Sequence, residues 1–204
     1  MRAPLSFLRD RGGAVLAEFA ISGTLMVMLL ICIVEISAAL WAWNATAKAV
    51  QQGARLAAIS APVSSDLATM TGLEGGAAPG AAMPYFYRSC NGATSSCSNG
   101  GTFSQAALNW IVRGPDGVCG GSDTVRGLCD INRRITAQNV VVVYEQTGLG
   151  FAGRPAGPVP SITVRVQGLS FATPVLGIFT NMINLTMPAF STTVSGEDLR
   201  SVSP

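Results

Sequence analysis

The chain has 204 residues, of which 12% are charged and 49% are hydrophobic, and its formal net charge is +2. So small a net charge does not imply nucleic-acid binding, which requires a clustered basic face, and no nucleic-acid partner is expected. The sequence contains no histidine, so the commonest general base, imidazole metal ligand and pH switch are all absent. Low charge with high apolar content is typical of a membrane-attached protein.

A short basic leader, residues 1–13, precedes a long apolar segment, residues 14–43. About 20 apolar residues cross a hydrocarbon core of ~30 Å, so this segment is predicted to form a transmembrane helix. The positive-inside rule leaves the leader in the cytoplasm and the remainder of the chain outside. Trp41 and Trp43 then lie at the outer interface. A cleavable secretory signal is the alternative, but its apolar core is shorter, about 7–15 residues.

The helix is predicted to continue beyond the membrane over residues 44–61. This segment is rich in alanine and in straight-chain helix formers, and Pro62 supplies the stop. The remainder, residues 62–204, is predicted to be a periplasmic, loop-rich α+β domain. The chain is therefore expected to be a single-pass membrane protein, in contact with the lipid bilayer.

The tract from Arg11 to Phe19 combines two glycines with a carboxylate inside the apolar segment. It resembles the processing site of type IV prepilin-like proteins, in which a peptidase cuts after Gly and Glu is the fifth mature residue. Here the cut would follow Gly13, in a Gly12-Gly13 pair expected to resist helix, and would expose the amine of Ala14. Glu18 lies four residues later on the same helix face.

A carboxylate within a membrane segment is costly, which indicates a role. Glu18, with Phe19 beside it, is predicted to be an assembly contact that meets the new amine of a neighbouring subunit. The alternative is that Glu18 reaches the cytoplasmic interface. Glu35 is either an interfacial carboxylate or a contact with a partner helix or an export platform. Cys32 is interpreted as a packing residue.

Four cysteines, Cys90, Cys97, Cys119 and Cys129, lie in the Gly-rich region beyond the membrane segment. An even number in loops favours disulfides and an oxidising compartment. Three pairings are possible, and the sequential one, Cys90 with Cys97 and Cys119 with Cys129, is the simplest. A zinc site is the rival, but its ligands normally come as closer pairs.

The outer domain divides into a loop-rich part and a strand-rich part. Residues 62–130 are predicted to be loops with one short helix over 104–112, capped by Ser104. Residues 139–145, 161–167 and 185–195 have the β-branched, alternating character of strands, which predicts a small antiparallel sheet covered by the helix extension. Pro188 marks an edge or a bulge. The apolar stretch 169–183 is too short for a second membrane span and is predicted to be a connection.

No catalytic constellation is found, so no enzymatic activity and no cofactor are expected. Asp116, Asp123 and Asp130 lie close together in the cysteine-rich loops, but they lack the alternate spacing of a calcium loop. They are interpreted as solvated turn residues, and no metal site is predicted.

Taken together, the N-terminal tract, the motif Ile33-Val34-Glu35-Ile36 and the Ala-rich segment 45–58 resemble the TadE-like proteins of the tight-adherence (Tad, or Flp) pilus system. The resemblance covers about residues 9–60. It implies an inner-membrane pseudopilin or minor pilin, processed by a prepilin peptidase, that helps initiate, assemble or cap a pilus for surface adherence. Its partners would be other minor and major pilins and the inner-membrane assembly platform.

Two further hypotheses stay open beside the processed minor pilin. One is an unprocessed single-pass scaffold of a pilus or secretion platform. The other is a surface-exposed binding module, which predicts exposed aromatic side chains in the loops, such as Tyr85, Phe86 and Tyr87; these three are equally compatible with a core.

Overall fold

The computed structural model of the protein describes residues 12–121, 124–173, 175, 177, 184–196 and 199. It has the predicted α+β class: a long apolar N-terminal helix, an antiparallel sheet and two disulfides. The helices are α1 (Gly12–Ile59), α2 (Gln105–Arg113) and α3 (Leu128–Ile131), and the strands are β1 (Tyr87–Asn91), β2 (Ser96–Cys97), β3 (Val140–Glu145), β4 (Ser161–Val166), β5 (Ser170–Ala172), β6 (Asn184–Thr186) and β7 (Phe190–Ser195).

The chain divides into two compact units. The first, here the membrane unit, comprises residues 1–41 and 172–185, and the second, the outer unit, comprises residues 42–171 and 186–204. Helix α1 runs through both as one element of 48 residues, about 72 Å long at 1.5 Å per residue. Within the described residues it is the one helix that is long and apolar enough to span a membrane.

Helix α1 begins earlier than the sequence predicted. Gly12 and Gly13 are helical, so the expectation that this pair would resist helix is wrong. Adding a residue to the end of an existing helix forms one further hydrogen bond, and each glycine costs only about 1 kcal/mol relative to alanine. The helix formed by the long apolar segment that follows therefore extends back over both glycines.

The surroundings of α1 change along its length. In the membrane unit its apolar side chains are exposed, and Phe19 reaches 76%. From Ala42 onward one face is buried within the outer unit, where Ala49, Ala54 and Ala57 are each 0% exposed. Because alanine and glycine have small or no side chains, neighbouring elements approach the helix backbone closely on this face.

Three contacts hold this part of α1 in the outer unit. The Asn132 side-chain amide donates to the Thr46 hydroxyl at 2.9 Å, and both residues are buried. The Trp43 ring meets Phe190 of β7 edge-on, with 4.8 Å between ring centroids. Gly53 lies directly against the side chain of Leu128 on α3.

The main sheet has five antiparallel strands in the order β2-β1-β3-β4-β7. Ile162, Val164 and Val166 of β4 are fully buried, which confirms the alternating character predicted for residues 161–167. Tyr144 of β3 is also fully buried, its hydroxyl accepts the backbone N–H of Val63 at 2.9 Å, and burial raises its pKa. This hydrogen bond links Val63, which follows α1, to strand β3 of the sheet.

The sheet differs from the predicted three strands in two ways. Strands β1 and β2 lie in the region predicted to be loops. Neither contains a β-branched residue: β1 is a strand because it pairs with the distant β3, and β2 is a strand because it pairs with β1. The last predicted strand is divided at Pro188 into β6, which pairs with β5, and β7, which forms a sheet edge. Proline lacks the N–H that a continuous ladder of strand hydrogen bonds needs.

The predicted short helix α2 is confirmed, with the Ser104 side chain accepting the Ala107 N–H.

We expect Gly53→Ala to destabilise the outer unit. The added Cβ would lie 2.5 Å from Leu128 Cδ1, and Leu128 is fully buried and so has little room to move. Overpacking of this kind costs about 1–3 kcal/mol, more than the ~1 kcal/mol gained in helix propensity. Urea unfolding of the full chain in detergent micelles, followed by circular dichroism, measures the change.

Gly23→Ala is the matched control, because it adds the same methyl group to the same helix with nothing within 4 Å. Its unfolding midpoint should not fall. Equal midpoints for Gly53→Ala and the unchanged protein would show that Leu128 moves aside without cost.

Candidate functional site

The predicted processing site lies in the first turn of α1. Gly13 and Ala14 are both helical and exposed, and a Cβ built on Gly13 would meet nothing within 4 Å. The leader before Gly12 lies outside the described residues. A peptidase that needs an extended backbone would have to unwind this first turn, which costs little because helix ends fray.

Glu18 lies about one helical turn, or roughly 6 Å along the axis, beyond Ala14. Its side chain is exposed, and among the described residues it has no hydrogen-bond or ion-pair partner. Around it are exposed apolar side chains, including Val15 at 66% and Leu16 at 72%. Glu18 is thus a single carboxylate on an apolar surface, beside an exposed Phe19, and it is available to a group from another molecule.

Glu35 is separated from this group by about 25 Å along α1. It is half-buried, and its carboxylate accepts the backbone N–H of Val175 at 2.8 Å. The sequence predicted an interfacial position or an intermolecular contact for Glu35, and the structure adds a partner in its own chain.

The four outer cysteines form the sequential pairs, Cys90 with Cys97 and Cys119 with Cys129. The first joins β1 to β2, and the second ties a loop to α3. The zinc alternative is therefore wrong, because a sulfur in a disulfide is not a thiolate ligand. Cys32 is a free, half-buried thiol in α1.

Two of the three aspartates considered as calcium ligands hold turns. The Asp116 carboxylate accepts the Val118 N–H at 3.0 Å, and the Asp130 carboxylate accepts the N–H groups of Gly120 and Gly127. Asp123 lies outside the described residues. Within the part of the chain that the structure describes, no cluster of three or more metal-ligating side chains occurs.

The outer unit carries an open cleft of about 390 Å³ beside β1. Of the aromatic residues that a binding module would expose, Tyr85 lines this cleft and is 69% exposed, whereas Phe86 is buried at 6%. Tyr87 is half-buried. Sequence reasoning treated the three as equivalent, but the structure leaves only Tyr85 largely open to a ligand.

Glu74, also in the cleft, accepts hydrogen bonds from the backbone N–H and the hydroxyl of Thr71, each at 2.8 Å. Because these bonds favour the charged form, the backbone bond most strongly, they lower the pKa of Glu74 to about 2. The carboxylate thus fixes the turn at one end of the cleft.

Residues 13–55 match the family model described as TadE-like protein. The resemblance recognised in the sequence is thereby confirmed for this part of the chain, which contains Glu18, Glu35 and Gly53. No curated protein and no solved structure matches the chain. The matched family is a structural, pilin-type class, and the apolar helix fits a single-pass membrane anchor.

We expect Glu74 to titrate near pH 2 in the folded chain, against about 4.3 for an unperturbed glutamate. Because the folded pKa is the lower one, the stabilisation by Glu74 is present above about pH 4.3 and is lost as the pH falls towards 2. NMR titration of the side-chain carboxyl carbon measures the midpoint.

Thr71→Val is the matched variant, because it removes the hydroxyl donor and keeps the backbone donor. Its Glu74 midpoint should rise part of the way towards the unperturbed pKa. A wild-type midpoint near 4.3 would contradict the two hydrogen bonds.

Proposed function

We propose that this protein is a membrane-anchored minor pilin, or pseudopilin, of a Tad/Flp-type pilus system. The match of residues 13–55 to the TadE-like family carries the proposal. It begins at Gly13, the residue after which cleavage is predicted, and it continues through the whole apolar segment into the helix extension. The outer unit supplies the bulk that distinguishes such a subunit from a short major pilin.

Processing is the first step in this proposal. A prepilin peptidase cuts after Gly13 at the cytoplasmic face and leaves Ala14 as the new N-terminus. The exposed, side-chain-free backbone at Gly13 supports this position. The outer unit then lies in the periplasm, an oxidising compartment in which the disulfides Cys90–Cys97 and Cys119–Cys129 persist.

Assembly is the second step. Glu18 is a carboxylate on an otherwise apolar surface, and an unpaired charge in lipid is costly. The new ammonium group of Ala14 has the same need for a partner. Pairing Glu18 of one subunit with Ala14 of the next satisfies both groups and fixes the axial offset between neighbours, while Phe19 packs against the adjacent helix.

The size of the outer unit favours a role at the start or the tip of a pilus. A fibre made only of such subunits would have to accommodate the outer unit, residues 42–171 and 186–204, at every step. We therefore assign the protein to initiation, assembly or capping of a surface-adherence pilus, with other minor pilins, the major pilin and the inner-membrane platform as partners. The role is structural and not enzymatic. An unprocessed scaffold is the alternative, since it would use the same anchor.

We expect a mature N-terminus at Ala14 when the cognate prepilin peptidase is present. Intact mass and N-terminal sequencing, on protein expressed with and without the peptidase, measure it. Gly13→Leu should retain the full leader because the side chain blocks approach to the scissile bond. A Met1 or Arg2 terminus in the presence of active peptidase would leave the scaffold as the better proposal.

We expect Glu18→Ala to be processed normally but to lose co-assembly with other pilins by more than tenfold. Removing one partner of a desolvated charge pair costs about 2–5 kcal/mol, and 1.4 kcal/mol is tenfold in affinity. Recovery of the protein in sheared pilus fractions gives the readout.

Ser22→Ala is the control, since Ser22 lies one turn further along α1 and its hydroxyl bonds only to its own helix, at the Phe19 carbonyl. It should assemble like the wild type. Normal assembly of Glu18→Ala would assign Glu18 to the cytoplasmic interface.

A further inference from the structure

We infer that the open cleft beside β1 binds an arginine side chain of a partner protein, with Glu74 pairing with the guanidinium group and Tyr85 stacking against it. The cleft lies entirely within the outer unit. This binding goes beyond the proposed function, since it requires neither cleavage at Gly13 nor the contact of Glu18 with a neighbour.

The cleft has the size and the lining of a binding site. Its volume of about 390 Å³ lies within the usual range for ligand sites, about 300–1,000 Å³. Met70, Met83, Pro84 and Phe86 give it apolar walls, of which Met83 and Phe86 are buried. Thioether side chains adapt to the shape of a ligand, so these walls are suited to the alkyl part of a long side chain.

Glu74 supplies a fixed and available carboxylate at one end of the cleft. Its Oε1 accepts both hydrogen bonds from Thr71, each at 2.8 Å, which hold the side chain in place. A carboxylate can accept about four hydrogen bonds, so Oε2 remains open to a ligand. Among the described residues no cation pairs with Glu74. The bonds from Thr71 also lower its pKa to about 2, which keeps the carboxylate charged near neutral pH.

The other charged residue that lines the cleft, Arg88, is already neutralised within the chain. Its Nε donates to the Asp66 carboxylate at 2.9 Å, and its guanidinium also donates to the Tyr87 carbonyl at 3.2 Å. Glu74 is therefore the charge in the cleft that lacks a partner of opposite sign. Charge complementarity favours a cationic ligand.

Tyr85 provides an exposed aromatic face in the same cleft. It is 69% exposed, and its hydroxyl donates to Glu145 at 3.2 Å. This bond restricts the ring before any ligand arrives, which lowers the entropic cost of binding. A hydrogen bond to a carboxylate also enriches the ring in electron density, and a cation is attracted to such a face.

Arginine fits this combination of groups better than lysine does. A guanidinium group is planar and weakly hydrated, so it can stack on Tyr85 and pair with the Glu74 carboxylate at the same time. An open cleft encloses a small molecule poorly, but it suits one side chain of a larger partner whose other contacts lie outside it. Arginine is also among the residues that most often dominate the energy of protein interfaces.

The test is an NMR titration of the full chain in uncharged detergent micelles. The probe is a Gly-Arg-Gly peptide with both ends blocked, and the control is the same peptide with citrulline, a neutral analogue of arginine of nearly the same shape. The shifts of the Glu74, Tyr85 and Asn99 amides, all in the cleft, report binding. We expect the arginine peptide to bind about five- to tenfold more tightly than the citrulline peptide.

Two substitutions locate the binding energy. Glu74→Gln removes the charge but keeps an oxygen for the Thr71 bonds, and Tyr85→Leu removes the aromatic face but keeps apolar area; each should weaken the arginine peptide about threefold or more. Asp116→Asn is the matched control for charge, because Asp116 lies outside the cleft lining and the variant keeps an acceptor for Val118. Its affinity should equal that of the unchanged protein.

Equal affinities for the arginine and citrulline peptides would overturn the inference. So would equal weakening by Asp116→Asn and Glu74→Gln, which would assign binding to overall charge. Shifts of the cleft amides with protein concentration, without peptide, would make a second copy of the chain the occupant and overturn it as well. Unchanged amide shifts in β3 and β4 show that a variant is folded; if a variant is not, the comparison of the two peptides on the unchanged chain decides.

Discussion

One continuous helix has to be stable in two different surroundings, and the rest of the structure depends on how its surface changes between them. Up to Trp41 the side chains of α1 are large, apolar and exposed, and from Ala42 onward a face of small residues is buried in a protein core. Lipid tolerates large side chains all round a helix, whereas close packing against α3 requires small ones. The alanines and Gly53 provide this face of small side chains without interrupting the helix.

Three polar side chains of α1, those of Glu18, Glu35 and Thr46, lie in distinct environments. Thr46 is buried and bonded to Asn132 in the outer unit, and Glu35 is bonded to a backbone donor in the membrane unit. Glu18, by contrast, has no polar partner among the described residues. Two of the three are therefore satisfied within the chain, so an interaction with another molecule is expected first at Glu18.

The sequence was sufficient for features that are repeated locally. The apolar run predicted α1, the alternation of Ile162, Val164 and Val166 predicted β4, and the Ser104 cap predicted α2. It was insufficient where pairing decides the structure: β1 contains Cys90 but no β-branched residue, and it is a strand because β3 lies beside it. The Glu35–Val175 bond was missed for the same reason, since 140 residues separate its partners. Whether Gly13, Ala14 and Glu18 act as predicted depends on a peptidase and on neighbouring subunits, which the sequence of one chain does not contain.

The contact between Trp43 and Phe190 joins residues that are far apart in the sequence. A ribosome releases Trp43 well before Phe190, so the helix extension has no β7 to pack against while the intervening residues are synthesised. During that interval the small-residue face of α1 is uncovered and β4 has an unpaired edge, both of which invite wrong contacts. The order of synthesis thus delays completion of the outer unit, and loss of β7 would leave an anchored chain with an unpaired edge on β4 and no aromatic partner for Trp43.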